Sequence, residues 1–384
     1  MFADRMQRIG PSGTLVTKNL VEKLKAEGVN VISFALGEPD FTTPKHIVEA
    51  ANSALEEGFT HYTSSYGIPE LREAIAEKSR TENKIPCKTE NVIVTPTKFG
   101  IFSSLLSLAQ KGDEVILSDP GFVSYFQIIN FTEAKIIGVE LSEEDDFRLL
   151  SENVSEAITP KTKVIMLNSP NNPTGSVSTK EDLKGIADLA QDNDIYIISD
   201  EVYEKIIYDG THHSIASFDG MFDRTVTLNG FSKSYAMTGW RLGWAIANED
   251  IINAINRIQQ HSLTCAVSFA QKAGVRALTG SQEPVKEMVK EFKARRDILV
   301  EGINAIPNLR CRVPQGAFYV FVKFVYDMSS VDFSKFLIKK ANVAVTPGSA
   351  FGICGEGYIR LSYATSRKNI TEGLKRIKET LSEL

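Results

Sequence analysis

The sequence is poor in cysteine, and its cysteines form no recognisable framework. The 384 residues contain four, which lie far apart and without a Cys-x-x-Cys pair or a nearby histidine: Cys87, Cys265, Cys311 and Cys354. Disulfide-rich secreted domains and zinc modules both need closely spaced cysteines. We therefore expect reduced thiols and no metal site.

Long apolar runs and long runs of one charge are also missing. No segment approaches the roughly 18 apolar residues of a membrane span, and the opening MFADRMQRIGPSGTLV lacks the apolar stretch of a secretory signal. The 43 Lys and Arg residues nearly balance the 48 Asp and Glu residues, for a net charge of −5, so no basic surface for nucleic acid or anionic lipid is indicated. These absences predict a soluble, cytoplasmic protein with neither a nucleic-acid nor a membrane partner.

The sequence does contain an alternation of apolar strands with amphipathic helices. Several strand segments are β-branched and apolar on both faces, which is typical of a mostly parallel sheet covered by helices on either side. The seven segments are residues 91–96, 113–120, 135–141, 163–168, 194–200, 225–229 and 241–247. They predict a central α/β domain in a chain whose length indicates two or three domains.

Polar residues or prolines follow many of these strands. They occur at Thr95-Pro96, Asp119-Pro120, Asn168-Ser169-Pro170, Ser199-Asp200 and Asn229-Gly230. Ligands of open parallel sheets bind in the crevice beyond the carboxyl ends of the strands. We therefore expect the functional site at this edge of the sheet.

The pattern changes after a helical stretch at residues 281–304. Short strands at residues 310–313, 316–324 and 358–362 are interspersed with a helix at 332–341, and a last helix follows from Lys368. This part predicts a smaller α+β domain, joined by the N-terminal segment.

The most informative segment is residues 229–244, NGFSKSYAMTGWRLGW, which follows an apolar strand. It holds Lys233 among small residues, with Arg241 further along. A lysine in such a place can approach a carbonyl ligand closely, and partial desolvation lowers its pKa toward the neutral amine that forms an imine. An isolated lysine is more commonly a solvated surface charge, so this observation alone leaves both interpretations open.

The whole segment resembles the pyridoxal-phosphate attachment signature of the class I and II aminotransferases. The matching positions are Gly230, Ser232, Lys233, Ala236, Met237, Gly239, Arg241 and Gly243. Further blocks of the family lie in the expected order: LGEPDF at 36–41, YGIPELREAI at 66–75, SPNNPTG at 169–175, SDEVY at 199–203 and YIRLSYA at 358–364. Over nearly its whole length the chain resembles the prokaryotic branch of the aspartate aminotransferase family.

This resemblance implies an α/β, fold-type-I transferase that depends on pyridoxal 5′-phosphate. A large cofactor-binding domain with a mostly parallel seven-stranded sheet would span residues 46–289, and a smaller α+β domain residues 1–45 and 290–384. The implied reaction moves an amino group from an L-amino acid to a 2-oxo acid, with 2-oxoglutarate the expected acceptor, by a ping-pong mechanism. The family also implies a homodimer, in which Tyr62 reaches the cofactor phosphate of the neighbouring subunit.

The resemblance assigns roles around the cofactor ring. Lys233 would hold the cofactor covalently and act as the catalytic base, and Asp200 would keep the pyridine nitrogen protonated. Tyr203 and Asn172 would hydrogen-bond the phenolic oxygen. The alternatives are a helix N-cap for Asp200, core packing for Tyr203 and a simple turn for the NNPTG segment.

Other residues are assigned to the substrate and the ring face. Arg360 would clamp the substrate α-carboxylate by a bidentate pair, with Gly37 and Asn172 beside it. Phe122 falls where the family places an aromatic residue, often tryptophan, stacked on the ring. The alternative for Arg360 is an ordinary solvent-facing strand arginine.

The phosphate would be held by Arg241 and Ser232, but the remaining phosphate contacts depart from the family pattern. Residues 95–100 read TPTKFG in place of a Gly/Ala-rich cup. Backbone and hydroxyl donors at Thr97, at the start of a helix, can still bind phosphate, and Lys98 either adds charge there or points outward.

Two single positions also differ from relatives. Phe99 stands where some prokaryotic relatives carry a lysine that recognises an acidic side chain, which weakens the case for aspartate as the preferred donor. Gly230 stands where many relatives have a phosphate-binding serine, so cofactor affinity would depend more on the other phosphate contacts.

The sequence leaves three alternatives to an aminotransferase. A β-lyase of the C–S lyase type uses the same scaffold, and fold does not decide the reaction. A pyridoxal-phosphate-binding regulatory protein usually carries a DNA-binding segment, for which no room precedes LGEPDF. A dehydrogenase is suggested only by GICGEG at residues 352–357, whose spacing predicts a turn instead.

The histidine pair His212-His213 forms no metal-binding spacing, and we expect it in an exposed loop.

Overall fold

We describe residues 2–383 of a computed structural model of the chain. The helices are α1 Gly13–Ala26, α2 Lys45–Glu56, α3 Pro69–Thr81, α4 Thr97–Leu108, α5 Val123–Thr132, α6 Ser151–Ala157, α7 Lys180–Asp192, α8 Phe231–Ser234, α9 Glu249–Gln260, α10 Ser268–Thr279, α11 Glu283–Asn304, α12 Ser330–Lys340 and α13 Arg367–Leu381. The strands are β1 Ile32–Ser33, β2 Val92–Val94, β3 Glu114–Asp119, β4 Lys135–Glu140, β5 Thr162–Asn168, β6 Tyr196–Asp200, β7 Thr225–Gly230, β8 Gly243–Ile246, β9 Leu309–Cys311, β10 Tyr319–Phe324, β11 Val343–Ala344, β12 Thr346–Pro347 and β13 Tyr358–Ser362. No helix in the described range combines the length and apolar character needed to cross a bilayer.

Seven strands form the large sheet in the order β2-β8-β7-β6-β5-β3-β4. Strands β3 to β7 run parallel, and β8 is antiparallel to both of its neighbours. Every residue of β3 and β7 is buried, as the continuous apolar pattern indicated for strands covered by helices on both faces. All seven predicted strands are present, and the α/β fold class is confirmed.

Two of these strands begin two residues later than predicted. The strand predicted from Asp194 starts at Tyr196, and the strand predicted from Arg241 starts at Gly243. Asp194 and Arg241 have φ values of 51° and 52°, in the left-handed region, so neither can continue an extended strand. Hydrophobic alternation does not reveal such a turn conformation.

The parallel strands end in polar residues at one edge of the sheet. Strand β3 ends at Asp119, β5 at Asn168 and β6 at Asp200, and Asn168 pairs with Asp200 in the β5–β6 register. Strand β7 runs directly into the short helix α8. The position of a site at this edge therefore follows from strand direction.

A second, antiparallel sheet has the order β12-β13-β10-β9, and β1 pairs with β11 beside it. Its apolar residues share one core with α11, α12 and α13, including Phe292, Phe318 and Leu361. This is the predicted smaller α+β unit. The predicted boundary between residues 289 and 290 lies inside α11, and the division of the chain at residues 45/46 and 289/290 stays a prediction.

The GICGEG segment is a turn, as predicted. A short 3₁₀ helix, Ile353–Gly355, lies between Gly352 and Gly357, which both have positive φ, and the chain then enters β13. No phosphate-binding strand-to-helix junction is formed there.

The prediction of an exposed loop at His212-His213 is wrong for His212. Only 11% of its side chain is exposed, and its Nε2 lies 2.9 Å from the Glu201 carboxylate. Glu204 lies in the same cluster, ion-paired with Lys78 and accepting a 2.7 Å hydrogen bond from Asn83. Burial raises the pKa of Glu204, but Lys78 and His212 outweigh it and hold the pKa at about 2. The loop folds inward because His212 supplies a partner to a buried carboxylate, which local composition does not show.

Candidate active site

A cavity of about 520 Å³ lies at the carboxyl edge of the large sheet, between it and the smaller unit. Residues of both units line it: Leu15, Lys18, Gly37, Glu38, Thr97, Lys98, Ile101, Phe122, Tyr125, Asn168, Asn172, Asp200, Val202, Tyr203, Ser232, Lys233, Thr238, Arg241, Tyr319 and Arg360. Every predicted site residue except Tyr62 is among them. The sequence prediction of where the site lies is consistent with this cavity.

Lys233 lies on α8, immediately after β7, and its Nζ donates a 2.5 Å hydrogen bond to the carbonyl of Gly37. Burial, together with the charges of Arg360, Lys98 and Arg241, lowers the pKa of its ammonium to about 8 against the opposing effect of Glu38. A neutral amine is therefore accessible near neutral pH, as attack on a carbonyl requires. The solvated-surface alternative does not apply to this lysine.

Asp200 lies at the end of β6 and is 4% exposed. It accepts a 2.7 Å hydrogen bond from the Tyr125 hydroxyl and a 3.3 Å bond from the Val202 amide. Burial raises its pKa to about 6, so the carboxylate is mostly ionised at neutral pH. No helix begins at the turn that follows it, so the N-cap alternative is excluded.

Arg360 projects from β13 and is 1% exposed, so it is not a solvent-facing strand residue. Its guanidinium donates to the side-chain oxygen of Asn172 at 2.9 Å and to the carbonyl of Ala35 at 2.8 Å. No carboxylate of residues 2–383 forms a salt bridge with it, and its Nε is buried without a hydrogen-bond partner. A buried cation with a free donor and no counter-ion fits an anionic ligand.

Tyr203 is buried, and its hydroxyl lies 2.8 Å from that of Tyr319. It belongs to the core of the smaller unit and also lines the cavity, so core packing and a site role are compatible. Lys233 Nζ lies 5.9 Å from the centre of its ring. The Tyr203 ring therefore lies near the lysine amine at the cavity wall.

Four polar residues of the cavity lining come from the start of α4 or from the segment after β7: Thr97, Lys98, Ser232 and Arg241. Thr97 and Lys98 are the first residues of α4, whose free amides favour an anion. Burial, together with the charge of Arg241, lowers the pKa of Lys98. Neither Lys98 nor Arg241 forms a salt bridge with a carboxylate of the described chain, so these residues suit an anionic ligand.

Two departures noted in the sequence are linked in the structure. A Cβ at Gly230 would lie 2.4 Å from the hydroxyl of Thr97, and a Cβ at Gly243 would lie 2.5 Å from it. The Thr97 hydroxyl donates to the carbonyl of Asn229 at 3.0 Å. A serine at position 230 would collide with Thr97, so the glycine there and the threonine at the start of α4 belong together.

Of three further residues singled out in the sequence, Phe122 lines the cavity, whereas Phe99 and Tyr62 do not. Phe122 borders the cavity, with Lys98 Nζ 5.3 Å from its ring centre. Phe99 does not line the cavity and packs instead against Phe102 in an apolar surface groove. Tyr62 is 85% exposed and lies outside the cavity of its own chain.

Sequence reasoning missed several cavity residues. Tyr125 lies one helical turn after Phe122, and Asn168 ends a predicted strand, so both carried a positional signal. Tyr319 sits in an alternating strand that does not distinguish it from core residues. Leu15 and Lys18 of α1 reach the cavity only through tertiary packing.

The observed groups fit pyridoxal phosphate. The cavity volume falls within the range of roughly 300–1,000 Å³ that is typical of cofactor sites. It offers a desolvated amine, a buried carboxylate and, near a helix N-terminus, two cations that have no carboxylate partner within residues 2–383. These three features match an aldehyde, a pyridine nitrogen and a phosphate.

The pKa of Lys233 leads to a stability prediction for the cofactor-free protein. The folded-state pKa of about 8 lies below the ordinary value of 10.5, so between these values the unfolded chain binds more protons. Stability should therefore rise with pH in this window, relative to Lys233→Met, by at most about 1.4 kcal/mol per pH unit. Urea unfolding of both proteins from pH 7 to 10 measures this difference. A difference that does not change with pH would contradict the depressed pKa.

Comparison with known proteins shows the family of the chain. The family described as aminotransferase class I and II matches residues 29–377. An aspartate aminotransferase of Musicola paradisiaca is 42% identical over 99% of this chain and 96% of its own length. The aromatic-amino-acid aminotransferase 2 of Thermococcus litoralis is 43% identical over 100% of this chain and 98% of its own.

Solved structures show the same likeness. The aspartate aminotransferase of Thermus thermophilus with maleate has a TM-score of 0.96 and 39% identity, over 99% of each chain. An aromatic aminotransferase of Pyrococcus horikoshii has a TM-score of 0.90 and 43% identity, over 94% of this chain and 99% of that chain. On these matches and the site geometry, the chain belongs to the class I and II aminotransferases, a family of enzymes that depend on pyridoxal phosphate.

Proposed function

We propose that this enzyme transfers the amino group of an L-amino acid to a 2-oxo acid, with 2-oxoglutarate as the acceptor, and that Lys233 is its catalytic residue. The observation that carries the proposal is a lysine amine, Lys233, whose pKa is lowered by desolvation and which shares one cavity with a buried carboxylate, Asp200, and a buried guanidinium, Arg360, that pairs with no carboxylate of residues 2–383. Bound there, pyridoxal phosphate supplies an electron sink for the charge that develops at the Cα of the amino acid.

The chain supplies proton transfer and electrostatic support for this chemistry. Lys233 would hold the cofactor covalently and, as a neutral amine, would take the proton from the amino acid's Cα. Asp200, held by the Tyr125 hydroxyl at 2.7 Å, would supply the negative charge for the pyridine nitrogen. Tyr203 and Asn172 would donate hydrogen bonds to the phenolic oxygen and so stabilise its negative charge.

Arg360 binds the α-carboxylate of the amino acid. Its contact with Asn172 at 2.9 Å orients the guanidinium, and its free Nε remains available for a ligand oxygen. The backbone at Gly37 approaches the opposite side of the carboxylate, where a Cβ would lie 2.7 Å from the Tyr319 hydroxyl. A planar fork held in this way fixes the amino acid relative to Lys233.

Arg241, Ser232, Thr97 and Lys98 would bind the phosphate, and Phe122 would stack on the cofactor ring. Arg241 donates a 2.9 Å hydrogen bond to the carbonyl of Thr238, which holds its side chain in place beside the cavity. With no hydroxyl at Gly230, the start of α4 and the two cations provide the phosphate-binding charge.

The enzyme is proposed to act as a homodimer in which Tyr62 contacts the cofactor phosphate of the other subunit. Its 85% exposure in the single chain leaves the phenol free for such a contact. Mixing Tyr62→Ala subunits with Lys233→Ala subunits tests this. In a shared-site dimer, one site of each hybrid would lack both residues and the other would be intact, so mixing should restore activity.

The amino-acid side chain is proposed to extend toward α1. Leu15 offers an apolar wall there, and Lys18 offers an ammonium whose side chain is 40% exposed. The relatives named above act on aspartate in one case and on aromatic amino acids in the other. Leu15 suits an aromatic side chain, and Lys18 suits an acidic one.

A half-reaction screen tests the proposed function. The purified holoenzyme is mixed with single L-amino acids without an oxo acid, and conversion of the cofactor to its amine form is followed by absorbance. We expect stoichiometric conversion with at least one acidic or aromatic amino acid, and recovery of the starting spectrum on addition of 2-oxoglutarate. Release of ammonia without the amine form would indicate a β-lyase. A cofactor spectrum that no amino acid changes would indicate a binding protein.

A further inference from the structure

The GICGEG turn lies against the loop that carries Phe122. Residues 119–122, DPGF, connect β3 to α5, and we name them the Phe122 loop. Residues 351–355, FGICG, lead toward β13 and Arg360, and we name them the Gly352 turn. The two segments belong to different sheets, and they meet at the side chain of Asp119.

Asp119 ties the two segments together. It is 7% exposed, and its carboxylate accepts 3.0 Å hydrogen bonds from two successive amides, those of Ile353 and Cys354. In the opposite direction, the Gly121 amide donates a 2.7 Å hydrogen bond to the carbonyl of Phe351. A carboxylate shared by two amides is a strong, geometrically defined contact.

Gly352 makes this contact possible. Its φ of 129° is a conformation that residues with a side chain rarely adopt. A Cβ there would lie 2.0 Å from the Asp119 carboxylate oxygen. Position 352 therefore requires glycine, because the Asp119 carboxylate occupies the space that a side chain would fill.

Each segment places one residue of the proposed site. Phe351 is fully buried, and the Arg360 guanidinium carbon lies 4.8 Å from its ring centre. Phe122 follows Asp119 by three residues and borders the cavity. The contact at Asp119 therefore determines how the ring-stacking residue and the carboxylate-binding arginine lie relative to each other.

We propose that Asp119 is a positioning residue that aligns the amino-acid carboxylate with the cofactor ring through Phe351 and Phe122. Asp119 itself does not line the cavity. The inference rests on the proposed roles of Phe122 and Arg360.

The principal test is Asp119→Asn in the holoenzyme. One of the two amide contacts becomes a contact between two donors, so the Gly352 turn should shift. We expect kcat/KM for the best donor amino acid to fall about 10- to 100-fold, as for a misplacement of the order of 1 Å. Equilibrium dialysis of the cofactor-free variant should show a pyridoxal phosphate dissociation constant raised by about threefold or more.

Glu140→Gln is the matched control. Glu140 faces Asp119 from the adjacent strand β4, is exposed and accepts no hydrogen bond from the amides of Ile353 and Cys354. We expect its kcat/KM and cofactor affinity to stay within about twofold of wild type. If Asp119→Asn behaves like Glu140→Gln, the proposal is wrong.

The same substitution made in an Arg360→Lys enzyme distinguishes a positioning role of Asp119 from a general effect on stability. If Asp119 acts through Arg360, the loss caused by Asp119→Asn should shrink to about threefold or less in an Arg360→Lys enzyme. A merely structural role would cost the same factor in both backgrounds and overturn the inference.

Ile353→Pro provides an alternative test of the same contact if Asp119→Asn does not fold. It removes one amide donor at the first position of a 3₁₀ helix, where proline is tolerated, and the Ile353 side chain is 88% exposed. We expect a three- to tenfold loss of kcat/KM, whereas wild-type values would contradict the proposal.

Failure of the proposed function itself would appear in the wild-type enzyme, as absence of the cofactor's amine form.

Discussion

Lys233→Ala should lose amino-group transfer by about 10⁴-fold or more, because the variant has neither the cofactor's attachment point nor the base that takes the Cα proton. It should also lose the pH-sensitive visible absorbance of the cofactor bound through Lys233. Cofactor held only by its phosphate and ring contacts should remain detectable as free aldehyde after denaturation.

The matched control for this substitution is Lys111→Ala, since 84% of the Lys111 side chain is exposed and the residue lies outside the cavity. Its spectrum and activity should equal those of the wild type. An unchanged visible spectrum in Lys233→Ala would remove this lysine from its role. Partial rescue of Lys233→Ala by added methylamine would support the role as a base.

Arg360→Lys should lower kcat/KM for amino acids by about 100-fold while leaving cofactor affinity within about twofold of wild type. A lysine has one point charge in place of a planar fork, so it cannot keep both the Asn172 contact and a bidentate hold on a carboxylate. Loss of one such charge-assisted contact corresponds to about 2–3 kcal/mol. Most of the effect should appear in KM, because the carboxylate is bound before the reaction begins.

The control for charge and side-chain type is Arg310→Lys, on the same small sheet but with 61% of the side chain exposed. Stopped-flow measurement of the first half-reaction gives the binding and chemical steps separately. Equal activity of Arg360→Lys and wild type would show that another residue holds the α-carboxylate.

The large sheet was predictable because each strand has a local signature. A strand buried on both faces, such as β3, must be continuously apolar, and a polar residue at its end marks where it leaves the sheet. The strand starts at Tyr196 and Gly243 were not predictable, since a left-handed residue precedes each start and leaves no trace in hydrophobic alternation.

The candidate site was predictable only in part. The attachment segment around Lys233 is contiguous, so its pattern can be recognised without knowing the fold. Tyr319, Leu15 and Lys18 come from elements distant in sequence, and only packing brings them to the cavity. The same reason explains the wrong prediction for His212, whose burial depends on a carboxylate, Glu201, placed by β6.

The amino-acid sequence by itself determined the class of protein and the strands that end in polar residues, and it predicted which lysine would hold the cofactor, because these inferences depend on motifs of residues close together in the chain. Only the tertiary structure decided which charges are unpaired and which glycines are required. Arg360 is a candidate carboxylate site because folding buries it with no counter-ion from residues 2–383, and Gly352 is required because folding brings the Asp119 carboxylate to within 2.0 Å of where its Cβ would be. Burial and close approach are properties of the packed chain, since they arise only when distant segments displace water from one another.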